Sequence, residues 1–508
     1  MNTQLVKAAA RTAVALGSAA ALLVVPGAEA QSVKLARIKT ATSISAADKQ
    51  QGAKAHPELM RDFGGAYTGP QTAYVTRVGQ KIAVQSGLSN AGTDFTVTLL
   101  NSPVNNAFAI PGGYIYVTRQ LMALMNDEAE LAGVLGHEVG HVAARHSKRR
   151  QDAATRNAVI GILGTVLGGM IGDQGGLLGG LGGLLQNNSM QLAQIATLGF
   201  SRNQELEADQ LGAQYLVKAG YDPAALASML ASLANQTDLD ARVAGRDSRS
   251  LPAWASTHPD PASRVKRAAA IARQINGTKG GLRNAPAFLA ALDGVLYGDD
   301  PEQGVIEGSE FLHPDLRLRF AVPAGFGMQN SAQAVAISGS GGQAQFTYGP
   351  YSGDMTAYID AVFKGVGGQQ RIPYGAVQRT TVNGLPASYA SATVSTQQGQ
   401  RVDITVFAYE FASDRAYHFV AMTPAGQMRS FDAMFASVRR MSDAEARAVR
   451  PRRIDVVTVS RGESAASIAR RMAFTSFQTE RFLVLNGLTA TAALTPGQRV
   501  KIAVYANR

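Results

Sequence analysis

The segment His137-Glu138-Val139-Gly140-His141 constrains this chain more than any other. It lies within Ala129 to Arg145, where Leu131, Val134, Leu135 and Val142 recur at helical spacing without a proline. Residues four apart on a helix sit about 40° apart around its axis, so both imidazoles face one way. Two neutral imidazoles so placed can hold one zinc ion, and Glu138 beside them can reach a zinc-bound water as general base, a chance match to the spacing being the alternative. Zinc lowers that water's pKa toward about 7, which makes hydroxide available at neutral pH.

A third ligand must come from elsewhere. The metzincin pattern places a histidine six residues after the second, but here His146 follows His141 by five. On a continuous helix it points about 140° off the metal face, which assigns it a structural or supporting role. The better source is Ser201 to Asp209, the start of another amphipathic helix. Glu205 and Asp209 share a face there. One carboxylate can bind zinc and the other can orient a ligand histidine through its second ring nitrogen. Glu207 points elsewhere and reads as solvated. The alternative for Glu205 and Asp209 is a pair of early-turn acids favoured by the helix dipole.

Five further blocks bear on that choice. They are Asn106 to Val117, Asp127 to Ala132, Val142 to His146, Glu205 to Asp209 and Ser256 to Arg264, the last containing Thr257-His258-Pro259. With His137 to His141, these blocks resemble, in order, family 48 of the metallopeptidases, the group of the CAAX prenyl endopeptidases and of periplasmic proteases of outer-membrane quality control. The resemblance covers about residues 60 to 272. It implies one zinc ion held by His137, His141 and Glu205, with Glu138 as base and Asp209 behind the ligands. It also implies His258 as a fourth, inhibitory ligand acting as a latch. A loop histidine fixed by Pro259 is the alternative. Arg264 or His258 would help stabilise the oxyanion. Tyr114, Ile115 and Tyr116 would offer a strand edge for an extended substrate, and an ordinary core strand is the alternative.

At 508 residues the chain exceeds one ordinary core. We divide it into a signal peptide (1–30), a peptidase domain (31–285), a loop (286–304), a β-rich domain without a catalytic constellation (305–440), a linker at Arg450-Pro451-Arg452-Arg453 and a small module (454–504). The expected class is α+β multidomain. The peptidase domain would be mainly helical and gluzincin-type with a short sheet. The middle domain would be α+β, as an interaction or substrate-adaptor unit. The terminal module resembles a LysM domain, a βααβ unit that binds glycans containing N-acetylglucosamine. It departs from the LysM pattern at Gly462-Glu463-Ser464-Ala465.

The signal assignment rests on Lys7 and Arg11, the apolar stretch Ala13 to Val25, and the cleavage-type triplet Ala28-Glu29-Ala30. Its removal takes the formal charge from +11 to +10. Cysteine is absent, which excludes disulfides, thiolate zinc sites and a thiol nucleophile. Export to a bacterial periplasm fits these features. Nucleic acid is not expected as a partner despite the basic pI near 9.8. Expected partners are unfolded or outer-membrane proteins as substrates, peptidoglycan through 454–504, and a membrane surface through the glycine-rich stretch 158–185. The expected activity is a zinc endopeptidase that clears misfolded or stalled envelope proteins. The alternatives are a peptidoglycan-bound scaffold or chaperone, and a zinc hydrolase of wall peptides.

Overall fold

A computed structural model of the chain describes residues 35–151, 200–243, 261–368, 371–395 and 399–506. The expected signal peptide, the stretch 158–185 and His258 lie outside the described residues. The described residues all fall in one compact unit with a mixed α+β architecture.

The N-terminal part begins with α1 (Ala46–Asp62) and α2 (Pro70–Ala83), followed by β1 (Thr96–Leu100), β2 (Ala107–Ile110) and β3 (Tyr114–Thr118). Helices α3 (Arg119–Leu124), α4 (Glu128–Ala143), α5 (Arg202–Lys218), α6 (Ala224–Val243), α7 (Pro261–Asn276) and α8 (Ala285–Leu292) then complete it. Helix α8 and a short strand, β4 (Leu296–Tyr297), replace much of the expected loop at 286–304. Burial explains this, since Phe288 and Leu292 are fully enclosed and backbone groups out of water must pair with one another.

The sheet order is β1-β3-β2, with β3 parallel to β1 and antiparallel to β2. The expectation of an edge strand at Tyr114, Ile115 and Tyr116 is therefore corrected. Strand β3 is central, and both sides of it carry ladder partners. The outer strands are β1 and β2, and β2 follows directly on the loop that lines the site below. Alternation could not reveal this, because a central and an outer strand look alike in sequence.

Helix α4 is buried at every residue except Val142. The Asp127 side chain caps it by accepting from the Glu130 amide at 2.9 Å. Glycines let α5 come close. A β-carbon on Gly212 would stand 3.0 Å from the His137 nitrogen, and one on Gly140 would stand 3.2 Å from the Leu211 β-carbon. Ser201 caps α5 in a reciprocal capping box with Gln204. The Gln204 amide also donates to the His146 carbonyl at 3.1 Å, so the cap ties α5 to the segment that carries His146.

The middle part is β-rich. One antiparallel sheet of four strands contains β5 (Val305–Glu307), β6 (Glu310–His313) and β7 (Leu318–Ala321), and Arg439–Arg440 pairs with β7 at its other side. Seven further strands, from Phe326–Asn330 to Arg415–Pro424, form a second sheet. One face of the larger sheet packs against α9 (Met355–Gly367), and the other shares a core with Phe311, Leu318 and Phe320.

The terminal segment has the order strand (Arg452–Thr458), helix (Ala465–Ala469), helix (Gln478–Leu485) and strand (Arg499–Tyr505), with the two strands antiparallel. The linker expectation is corrected, because Arg452 and Arg453 pair with Tyr297 and Leu296 of β4. The segment's Phe482, Leu485, Val500 and Ile502 belong to the same hydrophobic core as Leu135, Leu216 and Phe288. It is built into the N-terminal part rather than strung from it.

Candidate metal centre

His137 and His141 project from α4 toward Glu205 on α5. Their Nε2 atoms stand 3.0 Å apart. His137 Nε2 is 3.4 Å from Glu205 Oε2, and His141 Nε2 is 3.5 Å from Glu205 Oε1. Ligand atoms about 2.1 Å from a tetrahedral zinc ion are separated by about 3.4 Å. The three donors fit that spacing, and among the described residues they form the one cluster able to hold a metal. Charge supports the fit. Glu138, Glu205 and Asp209 are buried beside one buried arginine, Arg264. Counted as ions, they leave a deficit that a divalent cation fills.

Each ligand has support behind it. His137 Nδ1 lies 2.9 Å from Asp209 Oδ1, where the sequence reading placed a carboxylate behind the ligands. Arg264 grips the same carboxylate, with Nε donating to Oδ2 at 2.8 Å and Nη2 to Oδ1 at 2.5 Å. Its Nη1 donates to Glu205 Oε2 at 2.6 Å. The expectation that Arg264 stabilises an oxyanion meets a different arrangement. All three guanidinium nitrogens face carboxylates, so its first task is charge balance.

Burial alone would disfavour a cationic His137, but hydrogen bonds that it donates to Asp209 and Glu205 outweigh that and raise its pKa to about 9. Burial pushes Asp209 up, and Arg264 and His137 together hold it below the usual carboxylate range.

His146 has the supporting place expected of it but reaches it by another route, and Glu207 departs from expectation. The helical projection for His146 fails because α4 ends at Ala143, and Arg145 takes a left-handed φ of 55°. The chain turns back, and His146 Nδ1 comes to 2.9 Å from His141 Nδ1. Glu207 is not simply solvated. Its Oε2 lies 3.0 Å from His146 Nε2 and accepts from Arg149 Nη1 at 2.5 Å. Burial holds His146 below its usual range despite Glu207. The Phe200 ring stacks on His141 with centroids 3.9 Å apart. None of these contacts could be read from spacing, since they depend on a turn and on a residue outside both motifs.

Beside the ligands lies a cavity of about 50 Å³. Leu226, Met229, Leu230 and Leu233 form its wall as one stripe of α6, with Leu121 and Val134 opposite. His137, Glu138 and Arg264 stand on its polar side, and Asn105, Asn106 and Ala107 line its rim. The sequence reading missed this stripe, because an apolar helix face reads first as core.

The profile of peptidase family M48 matches residues 70–272. That span includes every element bearing these ligands. Residues 70–272 belong to peptidase family M48. The chain is 33% identical over 207 residues to the Beta-barrel assembly-enhancing protease of Yersinia pestis, covering 40% of this chain and 39% of that protein. It is also similar to the mitochondrial metalloendopeptidase OMA1 of Schizosaccharomyces pombe, at 31% over 223 residues, 43% of this chain and 59% of that one. A third relative is Metalloprotease LoiP of Escherichia coli (strain K12), at 33% over 136 residues, 25% of this chain and 47% of that one. The match thus spans about two fifths of the first relative's length, and the middle and terminal segments fall outside the M48 region. No described helix is long and apolar enough to cross a membrane.

Proposed function

We propose that this chain is a zinc-dependent endopeptidase. The observation that carries the reading is the convergence of His137, His141 and Glu205 at zinc spacing, with Glu138 next to an apolar pocket. When bound, zinc supplies Lewis acidity that polarises a scissile carbonyl and acidifies an attacking water. Glu138 takes that water's proton and returns it to the leaving amine. Asp209 and His146 orient the two ligand histidines, and Arg264 balances the buried carboxylates. A medium-sized apolar side chain flanking the scissile bond enters the α6 pocket, whose volume matches about four water-sized groups.

The expected setting is the bacterial periplasm, with misfolded or stalled envelope proteins as substrates. The relatives named for β-barrel assembly support this choice. Within the same proposal, His258 acts as a latch and the stretch 158–185 meets a membrane surface. The terminal segment's strand-helix-helix-strand order supports the LysM-like reading, with peptidoglycan as its ligand. Casein cleavage by purified protein beside its Glu138→Gln variant tests the catalytic reading, with zinc content measured in both. Equal cleavage by the two would end it. A parallel assay on purified wall separates protein from wall-peptide hydrolysis.

A further inference from the structure

The two ligand histidines are supported differently. On its Nδ1 side His137 meets the Asp209 carboxylate, whereas His141 on its Nδ1 side meets the imidazole of His146, which in turn meets Glu207. A carboxylate ion only accepts hydrogen bonds. At 3.0 Å from Glu207 Oε2, His146 Nε2 must therefore carry a hydrogen and donate. A neutral imidazole has one N–H, which leaves His146 Nδ1 as an acceptor. His141 Nδ1, 2.9 Å away, must then be the donor. The remaining nitrogen of His141, Nε2, keeps its lone pair on the metal position.

We propose that Glu207 and His146 are positioning residues that lock His141 in its Nδ1–H tautomer. This rests on the zinc reading above and deepens it. The surroundings block the two ways of undoing the lock. Phe200, stacked at 3.9 Å, opposes a flip of the His141 ring. Arg149, donating to the same Glu207 oxygen at 2.5 Å, holds the carboxylate in place. The Gln204 bond to the His146 carbonyl fixes the turn that presents the ring.

The test is zinc affinity of the full chain, measured by competition with a chromogenic chelator. Outer partners of metal-bound histidines typically change affinity about 10- to 100-fold. Glu207→Gln should weaken binding about tenfold or more, because an amide can present N–H and release the tautomer. His146→Leu should weaken it as much or more, and His146→Gln should recover part of the loss because its carbonyl can accept from His141. A second readout needs no variant. In zinc-free wild type labelled with ¹⁵N-histidine, NMR should find His141 protonated at Nδ1 and bare at Nε2. Unchanged zinc affinity in all three variants, or the opposite tautomer in the wild type, would overturn the proposal. A variant that is only less stable, with wild-type zinc affinity, would reduce the pair to packing and overturn it too. Failure of the wild type itself to take up zinc would instead sink the zinc reading.

Discussion

Arg264 closes on Asp209 with two parallel hydrogen bonds, at 2.8 and 2.5 Å, in a site almost sealed from solvent. Removing one partner of such a buried pair leaves an uncompensated charge. For Arg264→Leu the loss in the metal-free protein should be about 3–5 kcal/mol. Zinc restores positive charge to the same pocket, so the loss should shrink when zinc is present. Urea unfolding with and without zinc measures both. An equal loss under the two conditions would contradict the charge-balance role.

Glu138→Gln keeps the shape of the side chain and removes its basicity. Activity should fall by about 10²- to 10⁴-fold, the range of a lost general base. Zinc content should stay at one per chain, because Glu138 is not among the three converging donors. Metal analysis beside peptide cleavage reads the two effects separately.

The α6 stripe should set side-chain preference. Leu230→Asp places a charge on the pocket wall opposite Val134. Peptides carrying leucine or methionine next to the cut should lose about 10- to 200-fold in kcat/KM, the scale of apolar-pocket discrimination. Peptides with alanine there should lose much less. A uniform loss across the series would assign the stripe to core packing alone.

Lys501 joins the terminal segment to the N-terminal part. It is fully buried, and its ammonium nitrogen donates to the carbonyls of Ala123 and Met125 at the end of α3. Burial lowers its pKa from 10.5 to about 7, against the raising influence of Glu130 and Asp127. Between those values the unfolded chain binds more protons than the folded one, so this residue makes stability rise with pH from about 7 to 10.5. Below 7 both states hold the proton, and the unfavourable burial is fully present. In Lys501→Met this rise should be absent. Unfolding free energies at pH 7 and pH 10, compared with wild type, check it.

By itself the sequence determined the parts of the site that follow from helical geometry. The spacing of His137 and His141 places two imidazoles on one face, and Glu205 with Asp209 repeats that logic on a second helix. The α+β class and the β-rich middle were legible because alternation and helical periodicity survive in local sequence. Contacts between segments were not legible in this way. Which strand of the first sheet is central depends on its order, so Tyr114 to Tyr116 could not be assigned to an edge or a centre. The place of His146 depends on the left-handed turn at Arg145, which ends the helix before the projection reaches it. Arg264 lies 55 residues from Asp209, and only packing decides that its guanidinium meets carboxylates. Periodicity records which way a side chain points from its own element, and tertiary structure alone decides what stands opposite.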